Sequence, residues 1–186
     1  MDSRHDVGGG KIRIRIFITM TATIKNKIDE AGLVTLDVSE LVALGERKEL
    51  DLSIFLDEGL IIKEVFFRKK LKTFEWGQFK NCFVSVTCSK DVIIPPWSYL
   101  LIQMNLRNIA KEVFFCNLKT MDLLLFQKAL TKLDMNNYRN KRVFLKVCSG
   151  NTIPLVFLSL CVSILTPHVK SLFYGEPCSS VPLIKN

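Results

Sequence analysis

Only two histidines, His5 and His168, occur in the 186 residues. A Cys–His dyad would therefore have to recruit His168, and no HExxH helix can be built. The chain also lacks a P-loop, a G-x-G-x-x-G turn after a strand and a G-x-S-x-G elbow, so ordinary nucleotide and hydrolytic chemistry has no anchor. Long apolar runs are missing as well. The most apolar stretch, Ile153 to Leu165, is 13 residues, against the roughly 20 that a membrane-spanning helix needs. It reads as a helix buried on most sides, and no membrane partner is expected. The first residues contain no apolar segment with a small-residue cleavage site, so a secretory signal is not supported and a cytoplasmic location is expected. In that compartment the six cysteines stay thiols, buried or metal-bound.

Acidic residues are the scarcer charge, 18 against 26 basic ones, which gives a net charge of +8. Arg68-Lys69-Lys70 and Lys72 carry part of it in a helix-like segment and read as a solvated helix face. There is no Gly-rich RNA-binding signature, zinc finger or basic zipper, hence no DNA motif. A hydrophobic share of 48% and a mean hydropathy of +0.23 indicate one domain with a substantial core.

Residues 1–19, with His5, Gly8-Gly9-Gly10 and the alternating KIRIRIFI, differ from the rest. They read as a tail or as a start placed too early, with Met20 as the true start; the alternative is an edge strand over Lys11 to Ile18, whose apolar period is two. Residues 20–186 form the α/β domain. Ile24 and Ile28 suggest a short helix that Gly32 ends, and Val34 to Val38 a strand. Asp51 to Phe74 carries apolar residues at helical spacing and reads as two helices broken at Gly59.

The remainder contains an internal repeat. Residues 79–115 align with 138–174 at an offset of 59 for most landmarks, with a one-residue slip inside each strand that brings Cys88 opposite Cys148. Each unit reads as strand, turn, helix, strand, with Pro95-Pro96 or Pro154 at the helix start. Strands are expected at Phe83 to Cys88, Glu112 to Cys116, Arg142 to Cys148 and Ser171 to Tyr174, with a linking helix at Thr120 to Leu133. Two βαβ units with right-handed crossovers predict a mainly parallel, doubly wound α/β sheet. If the third of these strands crosses to the far side of the first, the strands ending in Cys88 and Cys148 are neighbours across a switch point, where such sheets bind ligands.

Three of the cysteines, Cys88, Cys148 and Cys178, are each followed by serine at the end of a strand-like run. That pattern places three soft ligands on one rim of the sheet. Thiolates gathered there would repel unless a cation held them, and zinc or an iron–sulfur cluster accepts three thiolates. Asp91 and Glu176 occupy loops on the same rim and could each add a ligand or a charge partner. The bland alternative is small residues at tight turns, with serines capping helices. Cys82, Cys116 and Cys161 lie in apolar runs and need only be buried. His168 precedes the fourth expected strand, which puts it at the opposite edge. Trp76, Trp97 and Tyr99 read as packing residues.

The landmarks AGLVTLDV, LDEGLIIKE, FVSVTCSKDVIIPPWSYLL, LFQKAL, YRNKRVFLKVCS and KSLFYGEPCSSVPL, spread from Met20 to the C-terminus, resemble an uncharacterised bacterial domain-of-unknown-function family (DUF2480-like). The resemblance lends no activity. It implies a set of proteins whose genes often neighbour sulfur-mobilising iron–sulfur assembly genes, and so iron–sulfur assembly proteins as candidate partners. The function expected is metal or iron–sulfur binding through cysteine, in an accessory role in cluster or sulfur handling. A thiol enzyme or persulfide carrier, and a metal-free interaction module with a basic surface, are the alternatives.

Overall fold

The computed structural model describes residues 32–147 and 153–185. The helix read around Ile24 and Ile28, the segment Lys11 to Ile18, and the step Cys148-Ser149 lie outside the described residues. Within them the chain is α/β, with parallel-rich sheets. Seven strands occur: β1 (Leu33–Asp37), β2 (Arg47–Asp51), β3 (Phe83–Thr87), β4 (Glu112–Phe114), β5 (Arg142–Lys146), β6 (Ser171–Glu176) and β7 (Ser179–Lys185). The α-helices are α1 (Glu64–Thr73), α2 (Pro96–Leu106), α3 (Leu118–Leu130) and α4 (Leu155–Leu165).

The strands make two sheets. One is β2-β3-β4, all parallel; the other is β1-β5-β6-β7, parallel except for the antiparallel β6–β7 hairpin. This corrects the expectation of a single sheet with the Cys88 and Cys148 strands side by side. The physical reason is that a strand has two edges: β3 spends its pair on β2 and β4, and β5 on β1 and β6. Right-handed crossover logic gave parallel pairs but said nothing of the first strand of each sheet.

The repeat is visible in individual hydrogen bonds. Asn81 and Asn140, 59 residues apart, both have left-handed backbones, with φ of 59° and 57°. The N–H of Asn81 donates to Ile109 and that of Asn140 to His168, each at 2.9 Å. Lys111 donates to the Cys82 carbonyl as Lys170 does to that of Lys141. The same duplication extends to the strands the repeat had left out. Leu36-Asp37-Val38-Ser39 and Leu50-Asp51-Leu52-Ser53 each end a strand and turn into a 3-10 helix, with Asp37 or Asp51 accepting the N–H of the serine two residues on at 2.9 Å. A short polar side chain bonding forward in this way is what ends the strand and starts the turn.

Packing explains why β3 and β5 are so apolar. Val84 and Val86 point into a core with Leu50, Phe55, Phe67, Leu71 and Ile102, while Phe83 on the other face meets Met121 and Leu125 of α3. The first sheet is therefore covered on both faces, which accounts for a continuous apolar run rather than alternation. Helix α3 also serves the second sheet, since Phe126 and Leu130 join Val143, Leu145, Phe157 and Leu172. The Phe126 and Phe157 rings stack with centroids 4.1 Å apart. Ion pairs from α3 reinforce the join, Asp122 to Arg47 at 3.0 Å and Lys128 to Glu112 at 2.7 Å.

Two helix readings change. Asp51 to Phe74 is not two helices: it runs from the end of β2 through a 3-10 turn (Leu52–Phe55) and a tight turn around Gly59 into α1. Helix α4 is not buried on most sides. Phe157, Cys161 and Leu165 form one buried stripe, and Leu155 and Val156 are exposed. The aromatics do pack: Trp76 donates to the Leu71 carbonyl and meets Phe74, and Trp97 meets Phe67 edge-on. Arg68, Lys69 and Lys72 lie on the exposed side of α1.

Candidate functional site

Cys88 directly follows β3, at the carboxyl end of the three-stranded sheet, half-buried against that sheet's core. Its backbone is fixed from the neighbouring strand. The Asp51 carboxylate, at the end of β2, accepts the Ser89 N–H at 3.0 Å together with the Ser53 N–H and hydroxyl at 2.9 and 2.7 Å. Burial pushes this carboxyl up, but the hydrogen bonds from Ser89 and Ser53 outweigh it and hold Asp51 at about 2 against an ordinary 3.8. Tyr99, in the first turns of α2, packs against the same core as Cys88, and burial, with a smaller contribution from the charge of an ionised Cys88, raises its phenol. The ring of Tyr99 also meets Phe115 at 5.3 Å.

Asp51 gives a direct prediction. Asp51→Ala removes the cap of the 3-10 turn and the tether of Ser89, at a cost of about 1 kcal/mol by analogy with capping residues. Its folded value lies below its unfolded one, so the stabilisation is full above 3.8 and is lost as pH falls toward 2. The gap in melting temperature between wild type and variant should therefore close over that acid range. Alkylation of Cys88 at neutral pH should be faster in the variant; equal rates and equal melting would show that the carboxylate tethers nothing.

Cys178 lies at the end of the second sheet. β6 and β7 are joined by a hairpin whose last pair is Glu176 and Ser179, leaving Pro177 and Cys178 at the tip, with the thiol exposed. Glu176 is beside it, a carboxylate oxygen 4.0 Å from the sulfur. Lys146, the last residue of β5, holds the other oxygen of Glu176 at 2.8 Å. In the chain, Cys148 comes two residues after Lys146. A groove of about 480 Å³ between α4 and this hairpin, lined by Leu155, Leu158, Val162, Tyr174 and Leu183, gives the hairpin an apolar flank.

Asp91 is exposed in the loop between β3 and α2, in the Cys88 half of the molecule. His168 lies just ahead of β6, its carbonyl bonded to Asn140 before β5, at the amino end of the strands. The other three cysteines have a different character. Burial pushes the Cys161 thiol up to about 11, and burial also raises Cys82 and Cys116. Cys82 has a carboxylate oxygen of Glu46 at 3.5 Å, which further disfavours its thiolate. Among the described residues, no three His, Cys, Asp or Glu side chains form a metal cage; Cys178 and Glu176 supply two donors, and Cys148 is not among those residues. The donor chemistry suits a thiophilic metal, since thiolate and carboxylate both ligate zinc and iron.

Asp51, Ser53 and Lys146 are the residues that sequence reasoning missed. The signal for the first two was present as the paired LDVS and LDLS, 14 residues apart. No curated protein and no solved structure matches the chain. The family model described as protein of unknown function (DUF2480) matches residues 22–186, and the chain belongs to that family.

Proposed function

We propose that the chain is a cysteine-based metal or iron–sulfur binding protein with an accessory role in cluster or sulfur handling. Cys148 and Cys178 are its principal thiolates, Glu176 a carboxylate donor, and Cys88 a third thiolate on the rim of the other sheet. The observation that carries this reading is the Cys178–Glu176–Lys146 arrangement at the end of β5 and β6. It sets an exposed thiol and an oriented carboxylate beside the strand that leads to Cys148. Asp91 is a weaker candidate, on the Cys88 side only.

The protein's part is positional. Lys146 fixes the carboxylate, the hairpin tip presents the Cys178 sulfur, and the Asp51–Ser89 bond fixes the chain beside Cys88. A zinc ion held by Cys148, Cys178 and Glu176 would tie the hairpin tip to the chain beyond β5, and a cluster would supply a transferable or redox-active centre.

Protein purified without oxygen should contain about one zinc, or iron with acid-labile sulfide and visible absorption, per chain. Apo protein that takes up neither metal on reconstitution would overturn the reading. A stable persulfide on one of these thiols would then favour the sulfur-carrier alternative, and unmodified thiols the metal-free interaction module.

A further inference from the structure

A second surface stands apart from the cysteines. The tight turn Asp57 to Ile61, closed by the Asp57 N–H on the Ile61 carbonyl at 2.7 Å, projects Leu60 and Ile61 into solvent just ahead of α1. On α1 itself Phe67 and Leu71 are buried, so positions 65, 69 and 72, spaced by four and three residues, share the outward face. They are Val65, Lys69 and Lys72. Val65 is 85% exposed and Leu60 64%, so with Ile61 three aliphatic side chains close together in sequence stand in solvent.

The charges on this surface are unevenly spent. From Asp57 to Thr73 there are five basic and three acidic residues. Two of the acids are used internally, Asp57 with Lys63 at 2.6 Å and Glu64 with Arg68 at 2.8 Å. Among the described residues no acidic side chain pairs with Lys69 or Lys72, and Lys70 lies over the Phe66 ring while donating to the Ile54 carbonyl. On α1 the exposed Val65 thus neighbours the unpaired ammonium of Lys69, four residues on, with Lys72 on the same face.

We infer that this turn and the outer face of α1 dock on an anionic phospholipid surface. A protein partner fits less well, because interface cores are depleted in lysine and favour aromatic and arginine anchors. A lipid interface accepts the combination found here: aliphatic tips enter the acyl boundary while lysines, on flexible stems, stay at headgroup level. Such contact is peripheral; among the described residues no helix is long and apolar enough to cross a membrane.

Full-length protein should co-sediment with phosphatidylcholine vesicles containing about 30% phosphatidylglycerol at low ionic strength, and be released by high salt. Lys69→Glu/Lys72→Glu should weaken this by at least about ten-fold. Leu60→Ser/Val65→Ser should weaken it too while circular dichroism and melting temperature stay unchanged, because both side chains are outside the core. Equal binding to pure phosphatidylcholine, no binding by the wild type, or folded variants that bind as well as the wild type would each overturn the inference. So would capture by polyglutamate without capture by vesicles, which would assign the surface to an acidic protein.

Discussion

Cys148→Ser is expected to abolish bound metal, whereas Cys161→Ser keeps the metal and loses a little stability. The two thiols differ in what surrounds them. Cys161 lies with Phe157 and Leu165 on the buried stripe of α4, and burial pushes its thiol up to about 11. At neutral pH it is a protonated, apolar filler. Serine there buries a hydroxyl in place of sulfur, a change of about 1–2 kcal/mol, which lowers the melting temperature by roughly 2–8 °C in a chain of this size. Cys148 follows Lys146 by two residues, and Lys146 already holds the carboxylate that lies 4.0 Å from Cys178. Loss of one of a few soft ligands cannot be made good by serine, whose hydroxyl is a poor donor to zinc or iron. Metal analysis and thermal melts of the two purified variants separate the outcomes. Equal metal in both variants would remove Cys148 from the site.

The central strands and the helix starts were legible because their physics is local. Phe83 to Thr87 and Arg142 to Lys146 are buried strands, dense in β-branched and aromatic residues, and the prolines mark where α2 and α4 begin. β2 was not legible. Its sequence RKELD buries only Leu50, and its place is fixed by backbone pairing with β3 rather than by apolar side chains. β7 was hidden in the same way, since Ser179–Lys185 is an edge strand with Pro182 in its middle. Those two strands matter most for the site. Missing β2 led to one sheet instead of two, and so to Cys88 and Cys148 as strand neighbours. Missing β7 left Cys178 in a loop after β6 rather than at the tip of a hairpin. By burial Cys82 and Cys161 lie inside and Cys178 outside, because an apolar run carries its cysteine into the core whichever sheet it joins, whereas Cys116, read as a buried residue, is only half-buried like Cys88. The Lys146–Glu176 pair was beyond reach, as it depends on the register of β5 against β6, which sequence periodicity does not set.

Gly175→Ala should remove metal binding as thoroughly as Cys178→Ser while leaving the thiol in the chain. Gly175 has φ of +108°, a backbone conformation that L side chains rarely adopt, and it pairs with Ser180 within the β6–β7 hairpin. A Cβ there would lie 2.6 Å from the Ser179 carbonyl oxygen and 3.3 Å from the Ser180 Cα. Both are main-chain atoms of the facing strand, so no rotamer change relieves the contact. Strain at such a position costs about 1–3 kcal/mol, which the hairpin relieves by opening at its tip, where Glu176, Pro177 and Cys178 sit. Glu176 then leaves Lys146 and the Cys178 sulfur loses its carboxylate neighbour. Gly77→Ala is the control: its backbone is not left-handed and a Cβ meets nothing within 4 Å, so stability and metal content should match the wild type. The expected pattern is a melting temperature lower by roughly 3–10 °C with metal lost for Gly175→Ala, and neither for Gly77→Ala. Wild-type metal content in a destabilised Gly175→Ala would show that the hairpin tip is not part of the site and would leave Cys178 an ordinary surface thiol.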